Sequence, residues 1–456
     1  MQRQSSLGNN ISIRVGLGLI VSLASLGAAT LGLIYPSIYS PLLFLGAVAA
    51  AAIFIVWIKR PVLALYAALF MVLLPVGIMP LEIHSLLNRL LTVIAFGVWV
   101  LNILMKRKRN FWTGTAYVML AFLIWGVLTT LLADNLKEAF TTIQVYILRF
   151  VVFIFLIPNT IRTKENLNGF FKTVSLSGWV LLGFGLFSLI QGGYNPGSRL
   201  QILGINANAA GTLGLITLSG VLWVTHQLSQ QKRVIKAISA VVFLLLLTVI
   251  IITSGSRGGT ISLAITIIAF WFWRPLRPWA ILCISILILA MIFEPSLFTT
   301  VIERFLVQSH DTLLGGRETL WAAAWQMISE HPLTGVGIGN SRFSIIPLLN
   351  TADYGYETGR AIHNPILVIW SETGLLGILL YLGILISAVF SFMKQYLHYR
   401  NIDAHHPFLP YFAIVSSIFL GYMASWIKGG GAEYEQAYFF MLATLLIPSG
   451  IDYDSP

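Results

Sequence analysis

Residues 365–390, PILVIWSETGLLGILLYLGILISAVF, decide the fold. After Glu372 the chain carries no charge until Lys394. A helix of about 20 consecutive apolar residues crosses the hydrocarbon of a bilayer, so this run is long enough to span it. Working outward, comparable runs recur along most of the 456 residues. Hydrophobic residues make up 57% of the chain and charged ones 10%, where an ordinary soluble domain carries about 25% charge. Mean hydropathy is +0.84. The composition excludes a soluble domain and implies an all-α polytopic membrane protein.

Length and hydropathy predict about 12–14 transmembrane helices. Their centres fall in 15–34, 41–58, 61–80, 89–105, 113–133, 142–158, 170–190, 207–228, 234–253, 259–273, 278–293, 365–390, 408–427 and 435–449. The first run is too long for a signal h-region and reads as an uncleaved span. A net charge of +11 invites a nucleic-acid reading, and the placement of the charge argues against one. Lys59-Arg60, Lys106 to Arg109, Arg162 with Lys164, Lys232-Arg233, Arg274 with Arg277, and Lys394 with Arg400 follow every second apolar run. That is the positive-inside pattern of cytoplasmic loops. With a cytoplasmic N-terminus, the outer face receives 35–40, 81–88, 134–141, 191–206, 254–258, 294–364 and 428–434. The chain then divides into N-terminal transmembrane helices (1–293), an extracytoplasmic loop (294–364), and C-terminal transmembrane helices with a short cytoplasmic tail (365–456).

The outer loop ends in a polar island. It opens with Gly316-Arg317 and Trp321, continues through His331-Pro332-Leu333-Thr334-Gly335-Val336-Gly337-Ile338-Gly339-Asn340, and closes with His363-Asn364 ahead of Glu372, Gly374 and Gly377. Connections this long are typically functional. Leu320, Trp321, Ala324, Trp325, Met327 and Ile328 form one stripe, which predicts an amphipathic helix on the membrane surface or over the bundle. His331-Pro332 ends it, and the three glycines permit a tight, closely approaching backbone.

Candidate chemistry follows from residue type. His363 has the side chain whose ordinary titration range allows it to accept a proton from a hydroxyl, or else to sit as an interfacial histidine bonded to a carbonyl. Arg257, inside Ser254-Gly255-Ser256-Arg257-Gly258-Gly259, and Arg199, ahead of Asn206-Ala207-Asn208, lie on the same predicted face. A guanidinium fork grips phosphate oxygens, and the glycines and serines around Arg257, Ser256 among them, offer further donors. Arg149 stands inside an apolar run, where a charge is either paired or in contact with substrate. Arg317, Arg360 and Asn364 complete the candidate binding residues. Glu372, two turns past His363, is expected to be buried and paired. No P-loop, dinucleotide fingerprint, hydrolase elbow or metal-ligand spacing occurs, so neither a metal nor another cofactor is expected, and the single Cys283 has no cysteine to pair with.

Taken together, the Gly-Arg…Trp, His-Pro-x2-Gly-x-Gly-x-Gly-Asn and His-Asn-x7-Glu-x-Gly-x2-Gly elements resemble the O-antigen ligase and O-antigen polymerase superfamily of bacterial inner-membrane glycosyltransferases. The resemblance covers roughly residues 195–390. It implies a membrane-embedded, metal-independent enzyme of GT-C-like architecture with its site on the periplasmic face. The donor would be an oligosaccharide or polysaccharide on undecaprenyl diphosphate, and the acceptor a glycan, lipid A-core or protein hydroxyl. Lipopolysaccharide or other envelope polysaccharide synthesis would be the setting, with membrane lipids and no nucleic acid as further partners. On this chain the basic pair maps to Arg199 and Arg257 and the histidine to His363. The competing reading is a secondary transporter of a small anion such as bicarbonate, with which Arg149 and the glycines in and just after the seventh span (Gly178, Gly183, Gly185, Gly192 and Gly193) are compatible.

Overall fold

The computed structural model describes residues 40–74, 79–106, 112–191, 202, 207–230, 238, 241–243, 248, 254–296, 298–299, 302–303, 317–349, 361–427, 429 and 432–451. Helices supply the regular structure: α1 (Ser40–Lys59), α2 (Pro61–Leu73), α3 (Leu81–Lys106), α4 (Gly114–Thr129), α5 (Leu136–Arg149), α6 (Lys164–Ile190), α7 (Ala207–Gln230), α8 (Arg257–Phe272), α9 (Arg277–Phe293), α10 (Arg317–Glu330), α11 (Pro365–Ile402), α12 (Leu409–Trp426) and α13 (Ala432–Gly450). A π-helical stretch, Phe150–Leu156, continues α5 to Thr160. Among the described residues, eight helices are long and apolar enough to cross a membrane, nine if α1 and α2 form one broken crossing. The chain is an all-α polytopic membrane protein.

Three expectations need correction. The span expected over 61–80 is cut short: α2 follows α1 at a bend of 114° and ends at Leu73. Pro61 accounts for the break, because proline removes an amide donor and restricts the residue before it to extended backbone. The predicted loop 81–88 is helical and opens α3. The predicted loop 134–141 shrinks to a turn, because the Asn135 side chain caps α5 and starts the helix at Leu136. The predicted spans 15–34 and 234–253 lie wholly or largely outside the described residues.

Two compact units emerge, Met1–Ala64 with Val93–Arg109, and Leu65–Thr92 with Asn110–Pro456. In the first, Asn102 Nδ2 donates to Ile58 O at 3.4 Å and Phe96 stacks on Trp99. The second holds the site and is organised around α11. α4 runs antiparallel to α11, with Trp125 beside Gly377 and Thr115 bonded to Ser387. α12 is antiparallel to it as well, through Phe392–Phe412 and Tyr381–Trp426. α13 is parallel, through Tyr381–Tyr438 and Ser391–Ser449. α8 packs antiparallel on α12, where a Cβ on Gly258 would lie 3.8 Å from Ser425 and Gly421 faces Thr266 and Ser262. α7 lies alongside with Gly211 facing Gly259, and α6 closes against α7. Gly178 belongs to that last contact, since a Cβ there would come within 2.9 Å of Thr217 Cβ.

Candidate active site

These contacts fix which ends of the helices meet. Gly258 lies beside Ser425, next to Trp426, and Trp426 stacks with Tyr381 and Tyr438. α7, α8 and α13 therefore begin, and α12 ends, at the end of the bundle from which α11 starts. Arg257 is the first residue of α8 and is half-buried, at the level of Tyr381, well inside α11. Ser256 caps α8, its hydroxyl oxygen accepting from Gly259 N at 3.1 Å, and its own amide donates to Ser254 Oγ at 3.3 Å. Both serines are buried. The Ser-Gly-Ser-Arg-Gly-Gly element is thus a capped helix start that delivers an arginine. At the same level the Tyr381 hydroxyl and Trp426 Nε1 are buried without a partner among the described residues.

His363 precedes α11. Its φ is 55°, the one positive value for a non-glycine among the described residues. The backbone on either side is held. Trp321 Nε1 donates to Ile362 O at 3.0 Å, which gives the tryptophan of the Gly-Arg-x3-Trp element its job. Asn364 caps α11, its Oδ1 accepting from Ile366 N at 3.0 Å and Leu367 N at 3.2 Å. α10 packs across this start: Leu320, Ala323, Ala324, Met327 and Ile328 bury against Ile345, Ile362 and Leu367. Of the predicted stripe, Trp325 instead stays half-exposed and meets Trp370 edge to face. Arg317 begins α10 and is half-buried.

The glycine loop meets α11 at a place the sequence does not reveal. Gly374 has φ 65° and ψ −168°, a conformation that interrupts the helix and that essentially only glycine adopts. Here the amide of Leu375 cannot reach back to Ser371, and the carbonyls of Ser371, Glu372 and Thr373 lose their intrahelical donors. Each finds another. Val336 N donates to Ser371 O at 2.8 Å, Gly337 N to Glu372 O at 3.0 Å, and Trp125 Nε1 to Thr373 O at 2.8 Å, while Leu375 N donates to Pro332 O at 2.9 Å. A Cβ on Gly335 would overlap the Glu372 backbone, and one on Gly374 would overlap Leu333 O. Ile338 is buried and packs toward Gly126 of α4. Asn340, fully buried, accepts from Asn135 N at 2.8 Å and donates to Ile338 O at 3.1 Å. The Glu372 carboxylate, also buried, accepts from Ser341 Oγ at 2.7 Å and Ser341 N at 3.3 Å. The His-Pro-x2-Gly-x-Gly-x-Gly-Asn and Glu-x-Gly elements are two halves of one junction, committed to each other.

Arg149 is not part of this junction. It is buried, ion-paired with Glu435 of α13, and faces the rings of Tyr146 and Phe439 at 5.6 and 5.7 Å. Arg199 and Arg360 lie outside the described residues. Among the described residues, no group of three or more His, Cys, Asp or Glu side chains is placed to hold a metal ion. Sequence reasoning missed Trp125 and Ser341, whose partners stand 248 and 31 residues away. No local pattern marks them.

No curated protein matches the chain. Residues 240–382, which include α8, α10, the glycine loop, His363 and the break in α11, match the family model described as O-antigen ligase. The match implies glycan transfer of the O-antigen ligase or polymerase type by a membrane enzyme. Over this region, under a third of its length, the chain is similar to the O-antigen ligase family.

Proposed function

We propose that the protein transfers a glycan from a polyprenyl diphosphate carrier, undecaprenyl diphosphate in a bacterial inner membrane, to an acceptor hydroxyl at the periplasmic face. What supports this reading is that the starts of α8 and α11 face the same side of the second unit, each a capped helix start, with Arg257 at the level of Tyr381 and His363 ahead of α11. In the reaction the acceptor oxygen attacks the anomeric carbon as the bond to the phosphate oxygen breaks. The electron pair leaves with the lipid diphosphate, and the hydroxyl proton passes to the imidazole of His363. Arg257, with Arg199 as its partner in the superfamily pattern, stabilises the charge that grows on the diphosphate. The starts of α7, α8 and α13 add amide donors and the positive ends of helix dipoles at the same level. The arginines take the place of a divalent cation in this scheme. Arg317 and Arg360 are assigned to the glycan. The hydroxyl oxygen of Ser256 and the side-chain oxygen of Asn364 already serve as helix caps, which supports a role in holding Arg257 and His363 rather than in touching substrate.

The test is reconstitution in liposomes with a polyprenyl diphosphate-linked glycan, in buffer with EDTA. Glycan, lipid A-core and protein acceptors are supplied in separate arms. Release of lipid diphosphate with a new glycoconjugate in one arm is expected. No release in any arm, or release that appears only when magnesium or manganese is restored, overturns the reading or its metal-free form respectively.

A further inference from the structure

The junction between the glycine loop and the break in α11 has no reacting group of its own, and yet it catches all three carbonyls that the break frees and the amide of Leu375. We propose that it positions His363, with Trp125 and Glu372 as its positioning residues. The inference rests on the assignment of His363 in the proposed function.

The argument is mechanical. Residues 365–373 form a rigid helical arm between the break and His363. At 1.5 Å rise per residue the arm is roughly 13 Å long, so a tilt of about 10° at Gly374 would move its far end by about 2 Å. A misplacement of about 1 Å can cost a reaction about 100-fold. An interrupted helix is a natural hinge, and this one is pinned from two sides. Trp125 of α4 holds the last carbonyl of the arm, that of Thr373. Glu372, in the arm itself, holds Ser341 and with it the end of the glycine loop, which Ile338 and Asn340 anchor against α4 and the start of α5. The arm therefore takes its angle from the membrane helices, and His363 takes its position from the arm.

Three variants and a double-mutant cycle test this. Trp125→Phe keeps the ring and removes the donor; Glu372→Ala removes the acceptor for Ser341; Glu372→Gln keeps an oxygen for Ser341. In folded, purified protein, Trp125→Phe and Glu372→Ala are each expected to lower turnover by about 10- to 100-fold with donor affinity unchanged. Glu372→Gln is expected to stay near the unaltered protein. On a His363→Ala background neither Trp125→Phe nor Glu372→Ala should lower turnover further, because a positioning residue acts only through the group it positions. Losses that add on that background overturn the proposal, as does a loss in Glu372→Gln equal to that in Glu372→Ala. Full turnover in His363→Ala alone would instead overturn the assignment of His363 and leave the junction nothing to position. One readout is independent of activity: hydrogen exchange across 332–340 and 371–376 should be slow in the unaltered protein and faster in Glu372→Ala. Equal exchange in both overturns the proposal.

Discussion

His363 sits at φ 55°, and its neighbours explain why that conformation persists. A non-glycine residue in a sparsely populated backbone region costs about 1–3 kcal/mol, and it survives where the surroundings over-determine it. Here the Ile362 carbonyl is tied to Trp321 and the next residue caps α11, so the chain has no freedom to relax between them. Strain of this kind collects at reacting centres. If His363 accepts the acceptor proton, His363→Ala should lower turnover by about 10² to 10⁴ while donor binding stays nearly unchanged. Acidification should lower the unaltered rate, since a charged imidazole no longer accepts a proton. Arg257→Ala should instead lose donor affinity, and Arg257→Lys should recover little of it because an ammonium cannot reproduce the guanidinium fork. Donor affinity and the pH–rate profile are measured together. A His363→Ala variant that loses donor binding as strongly as Arg257→Ala moves the histidine into the anion site.

Among the elements, those defined by composition were legible in the sequence. The apolar run after Glu372 forms a membrane-crossing helix, and the stripe from Leu320 to Ile328 forms α10, although Trp325 turns outward. The break in α11 was not legible, because Glu-x-Gly-x2-Gly inside an apolar run reads as continuous helix, and the donors that repair the break come from α4 and the glycine loop. The early end of α2 at Leu73 was not legible for a related reason: hydropathy reports an apolar run and not where its helix stops. The same limit applies to Arg149, for which residue type alone left a structural ion pair and a substrate contact equally open. Its pairing with Glu435 ties α5 to α13 just ahead of the π-helical stretch. Removing one member of a buried pair leaves an uncompensated charge, so Glu435→Ala should destabilise the protein by about 3–5 kcal/mol. The double variant Arg149→Met/Glu435→Leu should recover most of that loss, and thermal unfolding in detergent reads both. If Arg149 binds substrate instead, the double variant will be stable and will lose donor or acceptor affinity.

At the scale of the whole second unit, the basic clusters and the candidate site separate to opposite ends. α8 begins at Arg257 and finishes beside Trp273, which meets Tyr396 of α11 edge to face. Arg274, Arg277, Lys394 and Arg400 therefore share the end opposite to His363. Arg162 and Lys164 join them, since Gly450 at the far end of α13 lies against Pro158. Beyond the break, residues 375–402 of α11 rise about 42 Å, more than the roughly 30 Å of bilayer hydrocarbon. The uncharged stretch from Leu375 to Met393 matches that thickness, which puts the break at Gly374 at one edge of the hydrocarbon and Lys394 at the other. At such an edge an unpaired carbonyl still costs several kcal/mol, which explains why all three freed carbonyls are caught. By the positive-inside rule the basic end is expected to be cytoplasmic and the opposite end, from which α8 and α11 start, outside. This predicts a labelling pattern in a Cys283→Ser background, which removes the one native thiol. Glu330→Cys, exposed beyond the break, should react with a membrane-impermeant maleimide in spheroplasts. His405→Cys, exposed at the turn between α11 and α12, should react only after the membrane is opened. The reverse pattern would turn the arginine–histidine end toward the cytoplasm, where a flipped lipid-linked glycan is absent, and would end both the orientation and the transferase reading.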